Sequence, residues 1–102
     1  MAKQYQYTKT KEIFSKEKEL PKLPGVYKFY DEKNKILYIG KAKSLANRLK
    51  SYLSSSKERK KSELIDKIKF LEIFITKTES DALLLEQNLI RKLKPPFNVQ
   101  FR

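Results

Sequence analysis

The chain contains no cysteine and no histidine among its 102 residues. These absences exclude thiol nucleophiles, imidazole bases and the usual zinc sites. Any catalysis must therefore use carboxylates, tyrosines, lysines, arginines or a metal ion held by oxygen. The lack of cysteine also fits a reducing compartment, so we expect a cytoplasmic location. No apolar run is long enough to span a bilayer, and we expect no cationic-then-apolar leader.

Positive charge dominates what is present. Lys and Arg number 24 against 12 Asp and Glu, which gives a formal net charge of +12. So large an excess predicts a polyanionic partner, and it favours nucleic acid over an anionic membrane surface. A solvated basic surface with no partner is the alternative reading. A hydrophobic content of 39% argues for a folded chain, and this length suits one domain.

The order of elements predicts a single α+β domain. Residues 1–19 are polar and predict a partly ordered N-terminal arm, whereas residues 20–102 form the domain. Alternation of apolar residues predicts strands, helical periodicity predicts helices, and Pro95-Pro96 ends the last helix. The predicted elements are strands at 25–30, 35–40 and 70–76, helices at 44–53, 57–69 and 79–94, and an extended tail at 97–101.

The first two strands form a hairpin that brings two tyrosines together. A turn of residues 31–34 would place Tyr27 opposite Tyr38. Tyr27, Phe29, Ile36 and Tyr38 would then share one face of the sheet. A slip of one residue would move Tyr38 to the other face. Paired tyrosines on a hairpin are more often packing residues than functional ones.

Glu86 interrupts an apolar stripe on the last helix. Five apolar residues lie within about 60° of Glu86 around the helix axis, on the side predicted to pack against the core. These neighbours are Ala82, Leu83, Leu89, Ile90 and Leu93. An unpaired carboxylate there is costly, so it predicts a bound metal ion, a basic partner or a catalytic role. The structural alternative is a buried ion pair, for which Arg48 is an available partner.

Three further side chains can reach the same cleft. Arg48 and Tyr52 lie four residues apart on the first helix and share a face. Lys41 immediately follows the second strand, where its ammonium can reach the mouth of the cleft. For Lys41 and Arg48 taken singly, ordinary surface charge is the alternative.

Two tripeptides make the resemblance to a family specific. Gly25-Val26-Tyr27 and Tyr38-Ile39-Gly40, separated by ten residues, resemble the signature of the GIY-YIG endonucleases, with Val as a conservative departure. The segments LPGVYKFYD, ILYIGKAKSLANRLKSY and TESDALLLEQNLIRKLKPPFNV are similar to the UvrC branch, which includes the shorter relative Cho. The resemblance covers residues 20–102.

The resemblance implies a GIY-YIG fold, a three-stranded antiparallel sheet flanked by helices in the order β-β-α-α-β-α. It also implies a metal-dependent endonuclease in which Glu86 binds one Mg²⁺ or Mn²⁺ ion. The implied catalytic residues are Tyr27, Tyr38, Lys41, Arg48, Tyr52 and Asn98. A tyrosine would deprotonate the attacking water, which requires a phenol pKa well below its usual value of about 10. We favour Tyr27 for this role and expect Tyr38 and Tyr52 to position water and phosphate.

The implied function is the 3′ incision of bacterial nucleotide-excision repair, by a monomeric domain that acts with a UvrB-type partner. Nonspecific contacts to the backbone of damaged duplex DNA are expected from basic residues in or next to the first two helices. These residues are Lys43, Lys50, Lys57, Arg59, Lys60 and Lys61. The alternatives are a restriction-like or mobile-element GIY-YIG nuclease, and a catalytically idle DNA-binding or docking module.

Overall fold

The computed structural model describes residues 3–7, 20–54 and 59–100, with side chains described for 20–52 and 63–99. The elements begin and end within about two residues of the predicted positions where a prediction was made. In chain order they are β1 Lys3–Tyr7, β2 Gly25–Tyr30, β3 Ile36–Ala42, α1 Leu45–Ser54, α2 Arg59–Lys67, β4 Phe70–Ile75, α3 Glu79–Leu93 and α4 Pro96–Gln100.

The strands form one antiparallel sheet in the order β1-β4-β2-β3. Strands β2, β3 and β4 are the three-stranded unit that the sequence predicted. Strand β1 extends that unit, with Lys3 opposite Ile75 and Tyr7 opposite Leu71. This strand was not predicted, because its segment was taken as part of a polar arm, although Tyr5 and Tyr7 alternate with glutamines in KQYQY. Its pairing uses the hydrogen-bonding edge that β4 offers, and such an edge does not show in the local pattern.

Each face of the sheet carries a hydrophobic core. The larger core lies under α1 and α2, where Tyr27 and Phe29 of β2 meet Leu49 and Tyr52 of α1. The smaller core lies under α3 and joins Val26, Ile39 and Ala82 with partly buried apolar residues of α3. The sheet therefore presents its two faces to different helices, and β3 forms one edge between α1 and α3.

The hairpin register differs from the predicted one. Tyr27 lies opposite Gly40, and Tyr38 lies opposite Phe29. The turn spans residues 31–35 because Tyr30 pairs with Ile36, and a bulge beside Phe29 shifts the register once more. Two single shifts leave Tyr27 and Tyr38 on the same face, as predicted. Ile36, which lies on the turn side of the bulge, packs in the core of the opposite face, so its predicted placement was wrong.

Helix α3 starts as the sequence predicted, because the Thr78 side chain accepts a hydrogen bond from the Asp81 backbone N–H at 3.0 Å. Its packing stripe includes Ala82, as expected, and also Leu85, which was not expected. Leu83 and Leu93 were predicted to be packed but are 38% and 37% exposed. Leu83 lies at the margin of the stripe, and Leu93 is the last residue of the helix.

Residues 97–101 were predicted to be an extended tail, but Pro96–Gln100 forms the short helix α4. The Asn98 side chain of α4 substitutes for a neighbouring strand at the β3 edge. Its Oδ1 accepts from the Ile39 N–H at 2.9 Å, and its Nδ2 donates to the Ile39 carbonyl at 2.8 Å. Ile39 lies between Tyr38 and Gly40, so Asn98 fixes the backbone of the second tripeptide.

The two glycines of the tripeptides have no room for a side chain. A Cβ on Gly40 would lie 2.2 Å from the Tyr27 hydroxyl oxygen and 2.3 Å from the ring carbon that bears it. A Cβ on Gly25 would lie 2.2 Å from the Phe74 carbonyl oxygen. The Tyr27 ring therefore crosses the neighbouring strand directly over the bare backbone of Gly40.

Replacing Asn98 with Ala should lower the free energy of unfolding by about 1–2 kcal/mol, because two backbone groups of Ile39 lose their partners. Urea-induced unfolding measures this loss. Asn88→Ala is the matched control, since Asn88 is exposed on α3, and it should change stability by less than about 0.5 kcal/mol. Equal effects of the two substitutions would contradict the assigned role of Asn98.

Gly40→Ala should cost about 1–3 kcal/mol of stability, because the added methyl group overlaps the buried Tyr27 ring. The same variant combined with Tyr27→Leu should cost less than the sum of the two single changes, by at least about 0.5 kcal/mol. A double-mutant cycle in urea measures this coupling. Strict additivity would show that the ring does not lie over Gly40.

Candidate active site

An open cleft lies at the β3 edge of the sheet, between α1 and α3. Its volume is about 950 Å³, and strands β2 and β3 form its floor. The predicted residues Tyr27, Tyr38, Lys41, Arg48 and Glu86 all line it. Among the described residues, its lining consists of Lys22, Tyr27, Tyr38, Gly40, Lys41, Ala42, Lys43, Ser44, Asn47, Arg48, Ser51 and Glu86.

Tyr27 is the centre of the hydrogen-bonded group in this cleft. Its side chain is 1% exposed, and its hydroxyl lies 2.7 Å from the Tyr52 hydroxyl. Arg48 Nε donates to the same Tyr27 oxygen at 3.3 Å. The Tyr27 oxygen is thus held between a second phenol and a guanidinium, and both can stabilise a negative charge on it.

Tyr52 lies behind Tyr27 and does not line the cleft. It is 2% exposed, and its ring meets the Tyr27 ring edge to face at a centroid distance of 5.8 Å. The expectation that Tyr52 positions water or phosphate is therefore not supported by its location. Its hydroxyl positions the Tyr27 hydroxyl instead. Tyr38, by contrast, faces the cleft, with its ring centroid 6.2 Å from that of Tyr27.

The phenols do not have the lowered pKa values that we expected. Burial raises the pKa of Tyr27 above its ordinary value, although the hydrogen bond from Tyr52 and the charge of Arg48 oppose the rise. Burial also raises the pKa of Tyr38 to about 12 and the pKa of Tyr52 in the same direction. Arg48 alone does not offset the loss of hydration, so a further positive charge is needed to favour a phenolate.

Glu86 reaches the cleft from α3 and is half-buried. Burial raises its pKa, whereas a hydrogen bond from the Lys41 backbone N–H and the Lys41 charge act against the rise. Among the residues that the structure describes, Glu86 forms no salt bridge, with Arg48 or with any other cation. The ion-pair alternative for Glu86 therefore finds no support in this part of the chain.

Lys41 contributes to the cleft mainly through its backbone. Its Nζ lies 3.4 Å from Glu79 Oε1, at the first residue of α3, and both groups are substantially exposed. The side chain is thus tied to the mouth of the cleft, while the N–H of the same residue orients the Glu86 carboxylate. Sequence reasoning did not identify Glu79 as the partner of Lys41.

The donor set fits a hard divalent cation that keeps much of its water. Within the described residues, no three Asp, Glu, His or Cys side chains cluster as a metal cage. One half-buried carboxylate in a wide, open cleft is nevertheless a suitable ligand for Mg²⁺, which binds proteins through one or two carboxylates. Glu86 is the carboxylate that lines this cleft.

The other predicted residues are distributed differently. Asn98 bonds the β3 backbone and does not line the cleft. Lys43 lines it, whereas Lys50 is exposed outside it. Lys57 lies outside the described residues, and for Arg59, Lys60 and Lys61 only the backbone, within α2, is described.

Sequence reasoning missed Lys22, Asn47 and Ser51 in the cleft. Asn47 and Ser51 share a stripe of α1 with Ser44 and Arg48, so helical periodicity could have found them. Lys22 carries no comparable signal, because the fold alone brings its segment to α1.

Across the described helices, none has the length and apolar character that crossing a bilayer requires.

Comparison with known proteins places these features in a family. The model of the UvrC-like GIY-YIG domain matches residues 23–99. The UvrABC system protein C of Psychrobacter sp. (strain PRwf-1) is 49% identical over 83% of this chain, and that of Ligilactobacillus salivarius (strain UCC118) is 45% identical over 91%. The matched part is only 14% and 16% of those proteins.

The fold also matches solved structures. The GIY-YIG N-terminal endonuclease domain of UvrC from Thermotoga maritima, bound to magnesium as its catalytic divalent cation, superposes with a TM-score of 0.76. The two are 38% identical, and the match covers 84% of this chain and 94% of that one. Variants of that domain with one tyrosine changed to phenylalanine, or one asparagine to alanine, are also bound to the cation. Together with the two tripeptides and the cleft between them, these matches show that the chain belongs to the UvrC-like GIY-YIG family.

Proposed function

We propose that this chain is a divalent-metal-dependent DNA endonuclease domain that hydrolyses a phosphodiester bond in the cleft at the β3 edge. The observation that carries the proposal is that one open cleft is lined by Glu86, Tyr27, Tyr38 and Arg48. The magnesium-bound relative from Thermotoga maritima, which has the same fold, supports it. Glu86 would hold the cation, with water as the remaining ligands.

The cation, when bound, supplies Lewis-acid stabilisation of the phosphoryl oxygens and positive charge beside the phenols. Arg48 binds the scissile phosphate. Its Nε is used on Tyr27, which leaves the terminal amino groups of the guanidinium to donate to nonbridging oxygens. The contact between Arg48 and Tyr27 thus couples phosphate binding to the position of the phenol.

Tyr27 acts as the general base. Its phenolate oxygen takes a proton from water, the resulting hydroxide attacks phosphorus, and the bond from phosphorus to the 3′ oxygen breaks with its electron pair on that oxygen. The leaving 3′ oxygen takes a proton from a second water in the open cleft and becomes a hydroxyl, and Tyr27 returns its proton to solvent. Tyr52 and Arg48 donate to the Tyr27 oxygen and stabilise its charged form before the transfer. Tyr38, which also faces the cleft, orients the attacking water.

In the cell this reaction would be the 3′ incision of nucleotide-excision repair in the bacterial cytoplasm. The relatives named UvrABC system protein C support this assignment. Because the chain spans about a seventh of their length, the damaged duplex and the UvrB-type partner are proposed as the context of the whole protein. The described residues include no module that reads bases, so damage location is assigned to that partner.

Glu86→Gln should reduce plasmid nicking in Mg²⁺ at least about 100-fold, because the amide removes the charge that holds the cation. The fold and the affinity for DNA should be retained, as measured by circular dichroism and fluorescence anisotropy. Calorimetric titration with Mn²⁺ gives a readout that does not depend on activity, and binding should be lost. Glu63→Gln, on the exposed side of α2, is the control. Full nicking by Glu86→Gln at saturating Mg²⁺ would refute the assignment.

The rate of nicking should rise with pH. A general base works only when deprotonated, and burial raises the pKa of Tyr27, so the phenolate fraction increases about tenfold per pH unit through the neutral range. A plot of the logarithm of the single-turnover rate against pH, from pH 6 to 9, should therefore have a slope near +1. Tyr27→Phe should lower the rate about 100-fold or more, whereas Tyr30→Phe, whose hydroxyl bonds Glu72 away from the cleft, should not. A flat pH profile would contradict this role.

A further inference from the structure

The cleft has a volume of about 950 Å³, and its lining extends along the chain on both sides of Arg48, from Ser44 to Ser51. Ser44, which precedes α1, and Asn47, Arg48 and Ser51 of α1 line it with the spacing of one helical stripe. That stripe is about 10 Å long at 1.5 Å per residue, which equals the axial rise of about three phosphates on one DNA strand.

Lys22 lies at the end of the cleft where α1 begins. The backbone on both sides of Lys22 is held there by hydrogen bonds to the first turn of α1. The Leu45 N–H donates to the Leu23 carbonyl at 2.9 Å, and the Ala46 N–H donates to the Pro21 carbonyl at 3.0 Å. Pro21 and Pro24 further restrict the segment. Among the described residues, Lys22 forms no ion pair, in contrast to Lys41, which is tied to Glu79.

The α1 N-terminus itself is not available to an anion. Its first N–H groups already bond the carbonyls of Pro21 and Leu23, and the Asn47 N–H bonds the Ser44 hydroxyl at 3.4 Å. The Ser51 hydroxyl donates to the Arg48 carbonyl at 2.6 Å. The side chains of Lys22, Lys43 and Asn47 therefore remain as donors that this part of the cleft offers to a ligand. Lys43 was already expected from the sequence to contact DNA, whereas Lys22 and Asn47 were not.

We propose that Lys22 and Asn47 bind backbone phosphates next to the scissile one, on the strand that is cleaved. The inference rests on the proposed nuclease function, since it assumes that the scissile phosphate lies at Arg48. Lys22 supplies a charge and Asn47 a neutral amide donor, so each contact has a distinct salt dependence. We call these two contacts, from Lys22 and Asn47, the phosphate track. The phosphate track does not depend on the DNA sequence, because it contacts only phosphates.

The test measures DNA binding without cleavage, on the full chain carrying Glu86→Gln. Anisotropy with a fluorescein-labelled duplex of about 20 base pairs gives Kd at 50 and 200 mM salt. Lys22→Ala should lower the ratio of Kd at 200 mM salt to Kd at 50 mM salt about 3.5-fold. One phosphate contact contributes about 0.9 to the slope of log Kd against log salt concentration, and the salt concentration changes fourfold. Lys22→Arg should restore the ratio.

Asn47→Ala should weaken binding about tenfold at either salt concentration and leave the ratio unchanged, because an amide releases no counterion. Lys33→Ala is the matched control. Lys33 is an exposed lysine in the turn at the opposite end of the β2–β3 hairpin, and its loss should leave the ratio unchanged. Equal effects of Lys22→Ala and Lys33→Ala, or no effect of Lys22→Ala, would overturn the proposal.

These outcomes are separate from the fate of the nuclease assignment. A chain that never nicks DNA but shows the Lys22 and Asn47 effects retains the phosphate track and loses only the catalytic function. A chain that nicks DNA but fails the binding test retains the catalytic function and loses the track.

Discussion

The site depends on one packing contact, the crossing of the Tyr27 ring over the backbone of Gly40. No side chain fits between them, since a Cβ on Gly40 would overlap the phenol. The contact fixes the register in which Tyr27 lies opposite Gly40, and the same register puts Tyr38 diagonally beside Tyr27. Asn98 holds the intervening Ile39 from the edge. The Gly25-Val26-Tyr27 and Tyr38-Ile39-Gly40 tripeptides are thus two halves of one steric fit.

Burial disfavours the charged form of Tyr27, and the neighbouring residues offset this effect only in part. A buried hydroxyl needs a partner, and Tyr52 supplies one from α1 while its ring packs against the Tyr27 ring. Arg48 adds a charge, yet desolvation still raises the pKa of Tyr27. The arrangement keeps the phenol neutral in the absence of a further cation. A cation held near Glu86 would lower the pKa of Tyr27 and so raise the fraction of the phenol that is deprotonated.

The sequence predicted the parts of the fold that local pattern determines, and it missed those that arise from contacts distant in the chain. The α3 cap at Thr78 and the three central strands follow from periodicity and capping chemistry. The register did not, because a longer turn and a bulge each moved it by one residue. Strand β1, the buried pair of Lys28 with Glu72 at 3.2 Å, and Lys22 in the cleft were also missed. In each case a distant strand or helix supplies the partner.

Part of the net charge of +12 lies in the cleft. Among the described residues, the cleft lining carries four cationic side chains and one carboxylate, that of Glu86. One of the cations, Lys41, is compensated by Glu79, so attraction for a DNA backbone falls mainly on Lys22, Lys43 and Arg48. These surround Glu86 without pairing with it. A cleft built this way attracts phosphates by charge yet leaves its one anionic ligand available to a cation, and both are needed at the same phosphodiester.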